Sequence, residues 1–239
     1  MWVNESKKLL FIHIPKTGGS SLVETFEKSD EWRSLAKELD AHQTYEIDSK
    51  TYENGETKHR EAKWLWHANE LQLRPLTQYK DFQKFSIARN PWARILSLYL
   101  FLLKQSEYIL STEDCGWPNE TIDWARVSHC QLTSKGFSGS LEPEGVIGHL
   151  NQPEHLDPRG WHELQPCSSW MQNGTWFKLE NMKELEDFLE LKIKKTNTTK
   201  HTHYSQYYST KDYLKVKKWF KDDIEKFGYN FETLEKTQE

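Results

Sequence analysis

Apolar and polar positions form distinct blocks near the start of the chain. The apolar run Leu9–Ile14 is long enough for one buried strand. Gly18 and Gly19 follow it and permit a tight turn, and Ser20 or Ser21 is expected to cap a helix with an apolar face. These positions predict a strand, a glycine turn and a helix in succession.

A second block repeats this order further along the chain. Phe82–Arg89 predicts a strand, and Asn90 is expected to be the N-cap of a helix with Pro91 in its first turn. That helix is predicted to run from Trp92 to about Lys104 and to be buried, because it is apolar nearly all round. Two strand–turn–helix units with no short hairpin between them predict a parallel sheet with crossover helices.

The last third of the chain predicts a further strand and two more helices. Thr175–Leu179 has the apolar character of a strand, and Asn181 with Glu184 has the spacing of a capping box. The final helix is predicted from about Thr210 to Phe227, and Gly228 is expected to end it.

The stretch 106–169 is the least regular part of the chain. Its many glycines and prolines predict loops and short helices. Long irregular insertions in compact enzymes often form the walls of a substrate site. This stretch is therefore expected to line the site of an acceptor substrate. The length of 239 residues fits one α/β domain or two small ones, and the prediction is a single domain spanning 1–239.

The composition excludes several function classes. The net charge of −4 argues against a general nucleic-acid binder, which is usually basic. No stretch has the length of a membrane span, and Met1–Lys8 does not resemble a signal peptide, so a cytoplasmic location is expected. If the chain is a fragment that has lost an anchor, a lumenal Golgi-type location is expected instead.

The three cysteines, Cys115, Cys130 and Cys167, have no CxxC spacing. The sequence therefore predicts neither a metal site nor a disulfide framework, although one disulfide stays open in an oxidising compartment.

The turn after the first predicted strand has the features of a phosphate site. A helix N-terminus offers free N–H groups and the positive end of the helix dipole. Lys16 and Thr17 add a charge and a hydroxyl at the same place. The lysine precedes the glycines, so the Walker pattern GxxxxGK[ST] is not met. The alternative interpretation is a strand–turn–helix with a chance lysine. The fold predicted with this loop is an α/β, P-loop-like parallel sheet flanked by helices.

Two segments resemble the phosphate motifs of sulfotransferases that use 3′-phosphoadenosine 5′-phosphosulfate (PAPS). Pro15–Ser21, PKTGGSS, resembles their 5′-phosphosulfate loop. Phe85–Tyr99, FSIARNPWARILSLY, resembles their 3′-phosphate motif, with Arg89 at the strand end and Ser97 on the helix. His67 ends the short predicted strand Lys63–His67. It precedes the second motif as the histidine base does in the glycosaminoglycan 2-O-sulfotransferase-like branch and its microbial relatives.

The resemblance implies transfer of a sulfuryl group from PAPS to an acceptor hydroxyl, with no metal. His67 would take the proton of the acceptor, and Lys16 would stabilise charge on the leaving phosphate. The acceptor is expected to be a carbohydrate, although a lipid or small alcohol stays open. The residues expected to hold the co-substrate are Lys16, Thr17, Gly18, Gly19, Ser20 and Ser21 at the 5′-phosphate, Arg89 and Ser97 at the 3′-phosphate, and Lys200 or His201 as a cover.

Other interpretations stay open at this point. Glu70, His162 and His201 are the alternative bases. The chain could be a nucleotide-dependent phosphotransferase, although no Walker-B strand ending in aspartate is evident. It could also be a non-catalytic glycan-binding protein on the same fold. In that case tryptophans would be the stacking platforms, namely Trp117, Trp124, Trp161 and Trp170.

Overall fold

The computed structural model describes residues 1–35, 70, 77–112, 119–151, 164–196 and 199–232. These residues form two compact units, and each unit has its own hydrophobic core. The first unit holds the described residues of Met1–Ala88 and Ser169–Thr196, and the second holds those of Arg89–Pro158, His162–Ser168 and Asn197–Glu239. The predicted strand Lys63–His67 lies outside the described residues.

The helices of the described residues are, in chain order, α1 (Gly19–Phe26), α2 (Pro91–Ser111), α3 (Asn119–Ser140), α4 (Val146–Leu150), α5 (Met182–Leu189), α6 (Thr210–Trp219) and α7 (Lys221–Phe227). Short 3₁₀ turns lie at Thr77–Tyr79, Cys167–Ser169, Leu179–Asn181 and Tyr204–Tyr207.

The first unit is built on a sheet of five strands within the described residues. They are β1 (Trp2–Asn4), β2 (Leu9–Phe11), β3 (Arg33–Ser34), β4 (Gln83–Ala88) and β5 (Thr175–Lys178), in the spatial order β3-β1-β2-β4-β5. β4 pairs in parallel with both β2 and β5, which confirms the predicted parallel arrangement of these three strands.

The other half of the sheet is antiparallel, so the predicted parallel arrangement holds for only part of the sheet. β1 pairs antiparallel with β2 and with β3. The sequence pattern does not predict β1, because the segment that contains it is short and largely polar. Asn4, the last residue of β1, is buried. Its Oδ1 accepts from the Ser6 hydroxyl at 2.8 Å and from the Lys7 N–H at 2.9 Å. These bonds close the turn between β1 and β2.

Aromatic side chains join the sheet to α1 and α5. Phe26 of α1 stacks on Trp32 with ring centroids 3.8 Å apart. Phe85 of β4 makes edge contacts with Phe177 of β5 and Phe188 of α5. Such pairs are favourable beyond the area they bury. One continuous apolar cluster therefore packs α1 and α5 against the sheet.

α5 begins where the sequence predicts, but its capping box does not form. The Asn181 side chain makes no cap bond to the helix backbone. Its Nδ2 donates to Glu184 Oε1 at 2.6 Å instead.

The second unit is helical, and α2 is its longest element with a regular backbone. Asn90 caps α2 as predicted, because its Oδ1 accepts from the N–H groups of Trp92 at 3.1 Å and Ala93 at 3.4 Å. α2 continues to Ser111, well past the predicted end near Lys104.

The stretch predicted as loops and short helices contains a long helix. α3 runs over Asn119–Ser140 and is interrupted only at Gly136, where φ is 63°. Residues 119–135 contain no glycine or proline, so the breakers that suggested loops lie before and after the main part of the helix. The Tyr99 hydroxyl of α2 donates to the Leu132 carbonyl of α3 at 3.1 Å. The predicted place of this stretch beside the acceptor stays a prediction.

The predicted final helix is in fact two helices, α6 and α7. The backbone leaves the helical region at Phe220, with φ −114° and ψ 31°. Val216 and Phe220 are fully buried, and Gly228 ends α7 as predicted. The break lets Phe220 enter the core of the second unit.

Candidate functional site

The loop between β2 and α1 leaves the sheet at the carboxyl edge of its parallel strands. The Ile12 N–H donates to the Phe85 carbonyl at 2.9 Å, and the Ser86 hydroxyl donates to the Ile12 carbonyl at 2.7 Å. These bonds continue the contact with β4 beyond the end of β2. Ligands of open α/β sheets bind at this edge.

The turn of the loop is made by two residues with positive φ. Lys16 has φ 64° and Gly18 has φ 85°. Gly18 is the N-cap of α1, so the prediction that Ser20 or Ser21 caps the helix is wrong. The first turn of α1 has neither a side-chain cap nor an acidic residue. The first N–H groups of a helix have no partner within it and carry partial positive charge, so this turn can receive an anion.

Two further side chains explain the glycine pair. A Cβ on Gly19 would lie 2.2 Å from Cδ2 and 2.3 Å from Nε2 of His13, and a Cβ on Gly18 would lie 2.4 Å from Cδ1 of Leu179. His13 is buried and stacks on Phe11 with ring centroids 5.6 Å apart. No motif in the sequence marks His13 as part of the site, although it lies only three residues before Lys16.

The hydroxyl of Thr17 is already bonded within the loop. Thr17 is fully buried, and its Oγ1 donates to the Ile14 carbonyl at 2.9 Å. In this conformation the proton of the hydroxyl serves the backbone, so a bond from Thr17 to a phosphate would come from its N–H group.

The two serines of the loop differ in their surroundings. Ser20 is exposed. Ser21 is buried, and its Oγ accepts from the Thr196 N–H at 3.0 Å and lies 3.2 Å from the Thr196 hydroxyl. Ser21 therefore fastens the chain after α5 to the first turns of α1, a contact between residues 175 positions apart that the sequence pattern does not show.

Glu70, one of the alternative bases, has a structural set of contacts. Its Oε2 accepts from the N–H groups of Gln172 at 2.6 Å and Asn173 at 3.2 Å, and its Oε1 lies 3.1 Å from Lys84 Nζ. Burial works to raise the pKa of Glu70, but the Gln172 amide, the Lys84 side chain and the Asn173 amide together bring it below its ordinary value. A carboxylate held ionised in this way is a weak proton acceptor.

The remaining predicted site residues lie in the second unit or outside the described residues. Arg89 is half-buried and directly follows β4, and Ser97 is half-buried on α2. Lys200 is exposed. His201 is also exposed, and its Nδ1 lies 2.6 Å from the Thr202 carbonyl. His67 and His162 lie outside the described residues.

The tryptophans proposed as stacking platforms are not alike. Trp170 is 1% exposed and belongs to the interior, whereas Trp124 on α3 is 38% exposed. Trp117 and Trp161 lie outside the described residues.

The described residues hold neither a candidate metal cluster nor a candidate membrane span. The described residues contain no group of three or more His, Cys, Asp or Glu side chains that could hold a metal ion. None of the helices resolved there combines the length and the apolar character that crossing a membrane requires.

Comparison with known proteins gives one match. The model of the sulfotransferase family matches residues 1–138, which is 138 of the 239 residues and includes both motif segments. No curated protein and no solved structure matches the chain. The family match covers more than half of the chain and begins with the strand, loop and helix described above. The chain therefore belongs to the sulfotransferase family, whose members transfer a sulfuryl group to an acceptor.

Proposed function

We propose that this sulfotransferase uses PAPS as the donor and a hydroxyl of a carbohydrate as the acceptor. The first turn of α1 is the observation that carries the proposal. It has no side-chain cap and no acidic residue, and Lys16 precedes it in a left-handed turn. These features suit a 5′-phosphate, because the N–H groups at a helix start and a nearby cation both attract an anion, and the first turn itself has no acidic residue.

The residues of the loop have different parts in this proposal. Gly18 and Gly19 keep the backbone close to the phosphate, and Ser20 offers an exposed hydroxyl. Thr17 contributes through its N–H, since its hydroxyl is bonded to Ile14. Ser21 acts on the phosphate only indirectly, by holding Thr196 against α1.

Arg89 and Ser97 are proposed to hold the 3′-phosphate, which distinguishes PAPS from ATP. A guanidinium can bind two phosphate oxygens at once through its planar fork, and a serine hydroxyl adds one more hydrogen bond. The support is the position of Arg89 at the end of β4, followed by the Asn90 cap of α2. Lys200 is proposed as part of the cover of the co-substrate.

The proposed reaction is an in-line displacement at sulfur. The acceptor oxygen forms a bond to sulfur while the bond from sulfur to the phosphate oxygen breaks. The proton of the acceptor passes to His67, whose ordinary pKa lies near neutrality, and Lys16 stabilises the charge on the departing phosphate. The products are a sulfate ester and 3′-phosphoadenosine 5′-phosphate.

The carbohydrate acceptor rests on the resemblance to the glycosaminoglycan 2-O-sulfotransferase-like branch. The cytoplasmic location expected from the sequence is kept as part of the same proposal. An acceptor screen by transfer of labelled sulfate would compare sugars with lipids and small alcohols.

Calorimetric titration with 3′-phosphoadenosine 5′-phosphate, with ADP as the comparison, tests the donor site. We expect tight binding of the bisphosphate, weaker binding of ADP, and a loss of the bisphosphate preference in Arg89→Ala. Arg126→Ala removes an exposed arginine of α3 and is the control. In the transfer assay, His67→Ala is expected to abolish turnover and leave the bisphosphate affinity nearly unchanged.

Two results would contradict the proposal. Binding of ADP or ATP with no binding of the bisphosphate would favour a phosphotransferase. Binding of neither nucleotide, together with glycan binding, would favour a non-catalytic protein on this fold.

A further inference from the structure

Asp223 is a buried carboxylate in α7 that the proposed reaction does not use. It is 1% exposed. Its Oδ2 accepts from the Cys167 N–H at 2.6 Å, and its Oδ1 accepts from the Ser168 N–H at 2.7 Å. Burying a carboxylate is costly unless its oxygens are satisfied, and here both oxygens bind main-chain donors of one short turn. Asp223 therefore fixes the position of the turn Cys167–Ser169.

Arg94 holds the chain just before that turn. It is also 1% exposed, and its Nη1 donates to the Gln165 carbonyl at 2.7 Å. Its guanidinium lies over the ring of Phe220, 5.7 Å from the centroid. Two buried charged side chains, one from α2 and one from α7, thus form hydrogen bonds with main-chain groups of Gln165, Cys167 and Ser168.

Cys167 connects this turn to Arg89. Cys167 is fully buried, and its thiol forms a hydrogen bond with the backbone of Arg89. The next residue is held by the same C-terminal segment, because Asn90 Nδ2 donates to the Asn230 carbonyl at 3.0 Å. Two hydrogen bonds therefore hold this segment, one at the Arg89 backbone and one at the Asn90 side chain. Both depend on residues 223–230.

We propose that Asp223 is a positioning residue for Arg89 and so sets the preference of the protein for nucleotides with a 3′-phosphate. This inference rests on the proposed role of Arg89 in binding that phosphate. Asp223 touches no part of the nucleotide in this proposal: it acts through the turn at Cys167, which holds the backbone from which the guanidinium extends. A small shift of that backbone would move both nitrogens of a fork that needs two oxygens at once.

Asp223→Asn is the first test, because it keeps the shape of the side chain. The amide offers only one acceptor oxygen, so one of the two N–H groups loses its partner. We expect the affinity for 3′-phosphoadenosine 5′-phosphate to fall about tenfold, which is roughly 1.4 kcal/mol. The affinity for ADP, titrated to millimolar concentration, is expected to stay the same. Asp222→Asn is the matched control, since Asp222 is the exposed neighbour on the same helix.

A double-variant cycle with Arg89→Ala tests whether the effect passes through Arg89. In the Arg89→Ala background, Asp223→Asn is expected to cause no further loss of bisphosphate affinity. Equal losses for the bisphosphate and for ADP would show a general loosening and overturn the inference. A full additional loss in the Arg89→Ala background would also overturn it.

Cys167→Ala keeps the test decisive if Asp223→Asn does not fold. It removes the partner of the Arg89 backbone together with the bond of the thiol to Asp223, and it leaves the two N–H bonds of Asp223 in place, so the same loss of bisphosphate preference is expected. Cys167→Ser restores a hydrogen-bonding group and is expected to recover most of it. If Arg89→Ala itself leaves the bisphosphate preference intact, the proposed role of Arg89 fails. If Arg89→Ala removes that preference while the Asp223 and Cys167 variants keep it, only the present inference fails.

Discussion

Individual contacts determine which residues the loop between β2 and α1 can tolerate. Gly18 needs its glycine for the positive φ and for Leu179, but Gly19 needs it because the ring of His13 occupies the space of a Cβ. The close approach that the sequence suggests for a ligand is, at Gly19, first an approach to a neighbouring side chain. The loop and the buried end of β2 are therefore one packed unit.

Gly19→Ala tests this packing. The new methyl group would lie 2.2 Å from His13 Cδ2, so the ring or the backbone must shift. Overpacking of this kind costs about 1–3 kcal/mol, and we expect a fall of at least about tenfold in nucleotide affinity by calorimetry. The double variant His13→Ala/Gly19→Ala frees the space and is expected to recover part of the affinity. Wild-type affinity in Gly19→Ala alone would show that the ring moves at no cost.

Local residues were predictable from the sequence and distant partners were not. The Asn90 cap follows from two neighbours, Trp92 and Ala93, and the prediction is confirmed. The predicted cap at Ser20 or Ser21 is wrong, because the N-cap is Gly18, two or three residues earlier, and Ser21 bonds to Thr196, 175 positions away. A helix cap is decided within a few residues, whereas a tertiary hydrogen bond depends on the whole fold.

At the scale of elements, the start of α2 joins two functions in one side chain. The Oδ1 of Asn90 caps the helix, and its Nδ2 donates to the Asn230 carbonyl. Asn90 thus links α2 to the chain after α7 within the second unit. The amide can do both at once, because its oxygen accepts from the helix while its nitrogen donates to the carbonyl.

Replacements of Asn90 are expected to separate its two functions. Asn90→Ala removes the cap and the donor, and we expect it to lower the free energy of unfolding by about 1–2 kcal/mol or more. Asn90→Asp keeps the cap and loses the donor, so its stability should lie between Asn90→Ala and the wild type. Urea unfolding followed by circular dichroism measures both.

Asn181→Ala is the matched control for Asn90→Ala. Asn181 also occupies an N-cap position, but it makes no cap bond, so its removal should change stability by less than about 0.5 kcal/mol. Equal effects at Asn90 and Asn181 would contradict the assignment of the cap.

The elements themselves were predicted unevenly. β4 and β5 follow from clear apolar runs, but β1 lies in a short, mostly polar segment and depends on pairing with β2 and β3. α3 was hidden by glycines and prolines that surround it rather than fill it. A single sequence shows clearly where glycines and prolines lie, but it shows less clearly that a helix can form between them.

At the scale of the molecule, each compact unit surrounds its own aromatic cluster. In the second unit the ring of Trp92 stacks on Tyr213 at 5.5 Å and meets the edge of Phe231 at 5.4 Å. Cys167 is buried in this unit, and burial raises the pKa of its thiol to about 12. An unfolded cysteine has its ordinary pKa of 9.0, so Cys167 favours the folded state below pH 9 and loses this effect as the pH rises towards 12.

Alkylation with iodoacetamide at pH 8 is expected to distinguish two of the cysteines. Cys130 is exposed on α3 and should react in the native protein, whereas Cys167 should react only when the second unit opens. Peptide mass spectrometry separates the sites and follows Cys167 in increasing urea. Rapid labelling of Cys167 in the native protein would contradict its burial and its bond with the Arg89 backbone.

The contacts of the loop between β2 and α1 also set an order in which parts of the chain can form during synthesis. The β1–β2 hairpin can pair as soon as both of its strands are available, because its partners are close in the chain. The loop has to wait for Leu179, which packs against Gly18, and for Thr196, which bonds to Ser21. A nascent chain that ends at residue 138 would carry all the residues matched by the family and still lack both contacts. A donor nucleotide bound at this loop, as proposed above, would therefore stabilise only chains that extend at least to Thr196.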